Sequence, residues 1–169
     1  MKQIAKHIII LLAISIFSGC GIYKFNTTSI SPDVKSISVY TIENRAMKVN
    51  PALSNLLTEA LQDKYRKLTK LTPKAEGGDL EVQGVIVSYD ITPTAITSAD
   101  IASQNRLTIT VQITFTNNKE PDESWEKKSF AAFQDYDSNK TIEQVEAQLC
   151  EQIVETLVED IFNATVANW

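Results

Sequence analysis

Residues 106–117, RLTITVQITFTN, decide the fold of this 169-residue chain. Apolar and polar side chains alternate from Leu107 to Thr116 without exception. Because successive side chains of a β-strand point to opposite faces, the alternation predicts a half-buried strand. One face is apolar and the other is rich in threonine, so the strand needs sheet neighbours and a layer over its apolar side. The apolar set consists of Leu107, Ile109, Val111, Ile113 and Phe115.

The residues that follow this strand predict a β-hairpin. The segment 117–123 contains Pro121 and has the composition of a turn. Residues 124–133 have the composition of a returning strand. Simple alternation places Trp125 on one side of that strand and Phe130 on the other.

Two further strands are predicted upstream. Residues 30–42, ISPDVKSISVYTI, contain a Ser-Pro-Asp turn and then a run of β-branched side chains. Residues 80–89, LEVQGVIVSY, follow a Gly-Gly pair and have a strand composition with elements of period two. Residues 90–105 lack a clear period, so we expect a long loop or the tip of a hairpin there.

Two amphipathic helices flank the last three predicted strands. Asn50 is the predicted cap of the first helix and Pro51 its first helical residue, and the second helix is predicted to begin at residues 138–141. In both, apolar side chains recur at helical spacing, which predicts one buried face each. The first stripe is Leu53, Leu56, Leu57, Ala60, Leu61, Tyr65 and Leu68, and the second runs from Ile142 to Phe162. A row of Glu151, Glu155 and Glu159 on another face of the second helix is predicted to be solvated.

The element order β-α-β-β-β-α predicts the fold class. Each strand has an apolar face to cover, and two amphipathic helices can cover one side of a sheet. We therefore expect an α+β two-layer sandwich, with a four-stranded, mostly antiparallel sheet and both helices packed on one face. The other face of the sheet would be polar or would be covered by a partner.

The first 20 residues, MKQIAKHIIILLAISIFSGC, resemble a bacterial lipoprotein signal peptide. Two lysines precede an apolar run, and small residues precede Cys20. The run is shorter than the roughly 20 apolar residues that a membrane-spanning helix needs. We expect residues 1–19 to be removed and Cys20 to be acylated, which leaves residues 20–169 as a single lipid-anchored domain. Gly21 stands where lipoprotein sorting rules place Asp for inner-membrane retention, so we expect an outer-membrane protein that faces the periplasm.

The only histidine of the chain, His7, lies in the leader. The mature domain therefore lacks the imidazole needed for Ser-His-Asp or Cys-His catalysis and for a histidine-based zinc site. Glycine-rich phosphate loops and CxxC pairs are also absent from the sequence. Asp135 and Asp137 flank Tyr136 in a pattern that favours a turn or capping role over acid and base chemistry. We expect no catalytic residue, no cofactor and no metal site.

The mature domain is acidic. Removing Lys2 and Lys6 with the leader changes the formal net charge from −5 to −7. Because affinity for nucleic acid comes from Lys and Arg, we expect no nucleic-acid partner. Acylation of Cys20 would leave Cys150 without a disulfide partner, and we expect its thiol to be buried in the second helix.

Several short motifs along the chain resemble the LptE family, the lipopolysaccharide-assembly lipoproteins, in its Bacteroidetes form. Together they span essentially the whole mature chain. None of them is a catalytic signature. The motifs are CGIYKF (20–25), SISPDVKSI (29–37), VNP (49–51), NRLTITV (105–111), DYD (135–137), VEDIFN (158–163) and VANW (166–169).

The resemblance implies a non-catalytic outer-membrane lipoprotein that pairs with the LptD β-barrel translocon. Such a lipoprotein sits largely inside the barrel as a plug, helps the barrel fold and assists insertion of lipopolysaccharide into the outer leaflet. Lipopolysaccharide contact through basic residues is also implied. Arg106, Lys127 and Lys128 lie on or beside the central hairpin and are the candidates for lipopolysaccharide or barrel contact. The threonine-rich face of residues 106–117 is a candidate contact surface, since large barrels have polar interiors.

Two other functions stay open at this stage. A periplasmic lipoprotein that serves another envelope transporter or secretion pore would share the leader and the size of this chain. An enzyme that uses carboxylates alone would need two close acids with perturbed pKa values in a pocket.

Overall fold

The computed structural model describes residues 30–48, 50–94 and 104–166. The leader and Cys20 lie outside these residues. The described chain forms six strands, two α-helices and one short 3₁₀ helix. In chain order they are β1 (Ser36–Val39), β2 (Glu43–Asn44), α1 (Pro51–Leu68), β3 (Thr72–Pro73), β4 (Leu80–Thr94), β5 (Gln104–Asn117), the 3₁₀ helix (Pro121–Glu123), β6 (Trp125–Asp137) and α2 (Ile142–Val166).

Three long antiparallel strands, β4, β5 and β6, form most of the sheet. β5 pairs with β4 from Asn117–Leu80 to Gln104–Thr94, and it pairs with β6 along its other edge. The predicted alternation of β5 is confirmed, because its five apolar side chains are at most 3% exposed while the intervening polar ones are half-buried. The sheet follows the order β3-β1-β4-β5-β6, and β2 also pairs with β4.

The prediction of a four-stranded, mostly antiparallel sheet needs correction. The sheet has six strands and is mixed, because β1 and β2 run parallel to β4 and β3 runs parallel to β1. The physical reason lies in α1. A helix of 18 residues between β1 and β4 carries the chain back to the end where β1 started, so the next long strand runs in the same direction. The predicted strand over residues 30–42 is shortened to β1, and β2 lies just after its predicted end.

Helix α1 begins where its sequence predicts. The Asn50 side chain accepts a hydrogen bond of 2.9 Å from the Ala52 amide, and Pro51 follows as the first helical residue. The apolar stripe faces the sheet, and its last member, Leu68, is 52% exposed at the helix end. The buried members are Leu53, Leu57, Leu61 and Tyr65.

Helix α2 covers the apolar face of β5 and β6 beside α1, so that both helices and that face share a single core. The two helices are joined by the Tyr65 hydroxyl and Thr165 Oγ1, 2.6 Å apart and buried. Lys64 forms an ion pair with Glu159, so one member of the predicted solvated glutamate row binds a neighbouring helix. Cys150 is buried in this layer, as predicted.

Two further predictions for the central hairpins are wrong. The predicted loop or hairpin tip over residues 90–105 is too long at both ends, because β4 continues to Thr94 and β5 begins at Gln104; residues 95–103 lie outside the described residues. Trp125 and Phe130 lie on the same side of β6, with ring centroids 6.0 Å apart. A bulge causes this, because Lys127 has a φ of 50° and the register with β5 shifts between Ile113 and Phe115.

Hydrogen bonds to Asp79 hold the start of β1 next to the start of β4. Its Oδ2 atom accepts hydrogen bonds from the amides of Lys35 and Ser36 and from the Ser36 hydroxyl, at 2.9–3.0 Å. These bonds, the Lys35 amide foremost, hold the pKa of Asp79 well below its usual value. Gly78 fits the same junction because a Cβ there would lie 2.6 Å from the Ser38 amide nitrogen.

Candidate functional site

Within the described residues both helices pack on one side of the sheet, which leaves its other side without a covering layer. We call it the open face. Its centre is the polar row of β5, whose threonines and glutamine are half-buried by their sheet neighbours. β4 and β6 contribute flanking side chains through their pairing with β5. The central members are Thr108, Thr110, Gln112 and Thr114, with Gln83 and Val85 on β4 and Ser129, Ala131 and Phe133 on β6.

A shallow depression of about 930 Å³ occupies one part of the open face. Its walls are mostly polar, and the one ion pair among the lining residues joins Arg45 and Glu43, 2.6 Å apart and well exposed. The Tyr40 hydroxyl donates to Glu81 at 3.2 Å beside it. The lining residues are Tyr40, Thr41, Glu43, Arg45, Gln83, Gly84, Val85, Val87, Gln112, Thr114 and Lys127.

Arg106 forms a compact cluster with Phe133 and Asp135 at the other end of the open face. Its Nε and Nη2 atoms donate to the two carboxylate oxygens of Asp135 at 2.7 and 2.9 Å. Its guanidinium carbon lies 3.8 Å from the centre of the Phe133 ring. The hydrogen bonds lower the pKa of Asp135 and raise that of Arg106, so both groups stay charged. Phe133 is 51% exposed, which leaves the stacked pair accessible.

The three basic candidates do not form one site. Lys127 lines the depression, eight residues along β6 from Asp135, or roughly 25 Å at the rise of a strand. Lys128 lies on the helix side, with its ammonium group 5.4 Å from the Trp125 ring and 5.6 Å from the Phe130 ring. Arg106 and Lys127 therefore belong to the open face, and Lys128 does not.

Sequence reasoning missed most of the partners of these residues. Asp135 was expected in a turn but lies in β6, bound to Arg106, whereas Asp137 does accept a turn hydrogen bond from the Asn139 amide. The sequence predicts Phe133 as the last residue of a strand, but β6 continues to Asp137 and Phe133 stacks with Arg106. Strand alternation could have placed Phe133 and Asp135 on one face, because they are two residues apart. The pairing with Arg106 required the register, which the sequence does not give.

The side chains of the open face are of kinds that commonly contact another surface. Within residues 30–48, 50–94 and 104–166, no three His, Cys, Asp or Glu side chains are grouped as metal ligands. The buried Cys150 thiol stays protonated at neutral pH, because burial raises its pKa to about 11. Amides, hydroxyls and a stacked arginine are groups that bind another surface. Neither described helix is both long and apolar enough to cross a membrane.

The sequence matches a family of lipopolysaccharide-assembly proteins. The chain matches the LptE family, described as lipopolysaccharide-assembly, over residues 34–165. This match spans more than three quarters of the sequence, so the chain belongs to the LptE family.

Several solved structures are similar in outline. A minor lipoprotein from Acinetobacter baumannii is 17% identical, with 76% of this chain and 89% of that chain covered and a TM-score of 0.43. The PelC dodecamer from Paraburkholderia phytofirmans is 8% identical, with 83% and 95% covered and a TM-score of 0.46. With TM-scores below 0.5, neither similarity informs the function of this chain. Comparison with curated proteins gives no significant match.

Proposed function

We propose that this protein is a non-catalytic outer-membrane lipoprotein that acts as plug and assembly partner of an LptD-type β-barrel. In this role it supports lipopolysaccharide transport and insertion into the outer leaflet. Membership of the LptE family supports the assignment to lipopolysaccharide assembly. The partner and the location are inferences from that membership and from the surface of the domain.

The open face is the observation that carries the proposal. A sheet in a two-layer domain ordinarily has one solvated face. Here it has a polar centre, a depression at one end and a stacked arginine at the other. A large barrel encloses a polar lumen, and a compact domain with polar surfaces can fill it. The open face is the surface that we assign to the lumen wall.

Acylation of Cys20 would keep the domain at the membrane. Burial of acyl chains contributes about 0.8 kcal/mol per CH₂ group, and more than one chain is needed for stable anchoring. Ile30, the first described residue, is ten positions after Cys20, and ten residues reach at most about 36 Å in any conformation. A domain on such a short connection stays close to the bilayer and therefore close to a barrel embedded in it.

The two cations of the open face are the proposed contacts for phosphate or carboxylate groups of lipopolysaccharide or for acidic side chains of the barrel. Arg106 is already fixed by Asp135 and Phe133, so it loses little conformational freedom on binding. Lys127 is exposed beside the depression. Lys128, which lies against aromatic rings on the helix side, has no part in this contact.

Site-specific photocrosslinking in cells tests the proposal. A photoreactive residue replaces Thr110 at the centre of the open face or Gln152 on the exposed side of α2. A domain enclosed by a barrel contacts it on both sides, so both positions are expected to yield an adduct with one large outer-membrane protein of the LptD type.

Each other result contradicts part of the proposal. An adduct at Thr110 alone would indicate docking beside the barrel instead of inside it. Adducts with a different envelope protein would favour the accessory-subunit function. The unsubstituted chain and samples without illumination serve as controls for adducts that do not arise from the photoreactive group.

A further inference from the structure

A narrow slot of about 350 Å³ lies between α1 and the edge of the sheet that β1 and β3 form. β3 is two residues long, and the Lys74 amide just after it donates to the Ile37 carbonyl at 2.9 Å. Two residues further along β1, the Val39 carbonyl accepts instead from the Gln62 side chain of α1, at 3.2 Å. The slot lies between these two attachments, one from β3 and one from α1.

The inner walls of the slot are apolar. Ile37 and Tyr65 are buried, Val39 is half-buried, and Pro73 completes the wall on the side of β3. The hydroxyl of Tyr65 is bonded to Thr165 inside the core, so it is not available to a polar group in the slot. Walls of this kind favour a hydrocarbon chain, because its burial removes apolar surface from water.

The mouth of the slot is basic. Arg66 and Lys74 are the charged residues of its lining, and both are exposed. Arg66 lies 2.9 Å from Asp63, which also pairs with Lys67 at 3.7 Å, so two cations share one carboxylate. None of the described residues forms an ion pair with Lys74. The mouth therefore has an excess of positive charge, which a carboxylate or phosphate can neutralise.

We propose that this slot binds a single-chain amphiphile with an anionic head group, such as a free fatty acid or an anionic lysophospholipid. The acyl chain lies between the apolar walls, and its head group lies between Arg66 and Lys74. A volume of 350 Å³ is near the lower end of ligand pockets, which measure about 300–1,000 Å³, so the slot has room for one chain and not for several.

Binding in the slot is compatible with a barrel around the domain and does not depend on it. The ligand fills a recess within the domain, so it needs no room outside the domain. The two inferences can therefore fail separately, because the assay below contains no barrel and recovery of the barrel requires no added amphiphile.

Photolabelling of the full acylated chain in phosphatidylcholine vesicles tests the proposal. The probe is a palmitate analogue with a photoreactive group in its acyl chain, and mass spectrometry locates its adducts. We expect adducts within residues 36–39 and 62–74, and competition by palmitate but not by the neutral alcohol hexadecanol. Lysophosphatidylglycerol is the second anionic competitor, and the stronger of the two anions identifies the source of chain that the slot prefers.

Substitution of the basic mouth distinguishes the slot from general attraction to cations. Arg66→Ala combined with Lys74→Ala should raise the half-saturating probe concentration about tenfold, because charge-assisted contacts to the head group are lost. Lys70→Ala is the matched control. It removes an exposed cation between these two positions that does not line the slot, so it should leave the concentration unchanged.

A bulkier wall should close the slot. Val39→Phe is expected to abolish labelling of residues 62–74, whereas Val85→Phe, the same change at a half-buried position of the open face, is not. Thermal midpoints show whether each variant is folded, and the surface substitutions at the mouth decide the matter if Val39→Phe is not. Equal labelling of the double variant and Lys70→Ala, equal competition by hexadecanol and palmitate, or adducts confined to residues outside the slot would overturn the inference.

Discussion

Arg106 and Asp135 form a two-pronged ion pair across the strands β5 and β6, with Nε and Nη2 of the arginine 2.7 and 2.9 Å from the carboxylate oxygens. The Phe133 ring lies under the guanidinium group. The arginine is therefore held in one orientation before any partner arrives. An arginine fixed in this way gives up little entropy on binding, which suits it to anchor an interface.

Substitution of this arginine is expected to weaken the partnership without unfolding the domain. Arg106→Ala should lower recovery of the barrel roughly tenfold, the size of effect typical of an arginine at the centre of an interface. Arg106→Lys should lower recovery of the barrel almost as much, because lysine cannot form the two-pronged bond. The measurement is the ratio of barrel to lipoprotein after affinity purification.

Lys128→Ala is the matched control for the arginine substitutions, because it removes a cation from the helix side of the same hairpin. It should leave the ratio unchanged. An equal loss of recovery with Lys128→Ala, or a fall in thermal midpoint that accounts for the Arg106 result, would remove Arg106 from the interface.

The bond between Tyr65 and Thr165 predicts unequal costs for its two partners. Thr165 Oγ1 donates to the Ile161 carbonyl at 2.9 Å, so the Tyr65 hydroxyl donates to Thr165. Thr165→Val leaves that buried hydroxyl without an acceptor and should cost about 1–3 kcal/mol, whereas Tyr65→Phe should cost about 1 kcal/mol. Urea denaturation measures both, and a larger cost for Tyr65→Phe would contradict the assigned direction of the bond.

Asp79 predicts loss of stability in acid. Its pKa is lowered in the folded chain, chiefly by the hydrogen bond from the Lys35 amide. A carboxyl with a lowered folded pKa contributes stability above its unfolded value of about 3.9, and this contribution is lost as the pH falls toward the folded value. The free energy of unfolding should therefore decline below about pH 4, and less steeply in Asp79→Asn. Equal slopes in the two proteins would show that Asp79 does not cause the decline.

Acylation of Cys20 predicts a simple change of location. Cys20→Ser should abolish incorporation of labelled fatty acid and release the protein from the membrane fraction. Cys150→Ser is the matched control and should alter neither, because that thiol is buried in α2. Membrane retention of Cys20→Ser with undiminished labelling would contradict the proposed anchor.

Sequence patterns predicted the elements that depend only on residues close to them in the chain. The alternation of residues 107–115 identified the buried face of β5, because a strand has only two faces and only one meets the helices. Asn50 and Pro51 identified the start of α1, because the cap satisfies amides of the same turn. The apolar stripes of both helices likewise follow from a single buried side.

Features that depend on distant residues could not be predicted in this way. The side of Trp125 depends on the bulge at Lys127, and the direction of β1 depends on where α1 returns the chain. The pairing of Arg106 with Asp135 joins residues 29 positions apart and requires the register of β5 and β6. The sequence therefore identified one arginine and one lysine of the candidate site but not the residues that surround them.

The central claim is that this lipoprotein associates with an LptD-type barrel. Its most direct test is purification of the tagged full chain from native outer membrane in mild detergent, followed by identification and quantification of the proteins recovered with it. The account predicts one large β-barrel of that type in stoichiometric amount. Recovery of the lipoprotein alone in repeated preparations, or together with a different envelope complex, would contradict it.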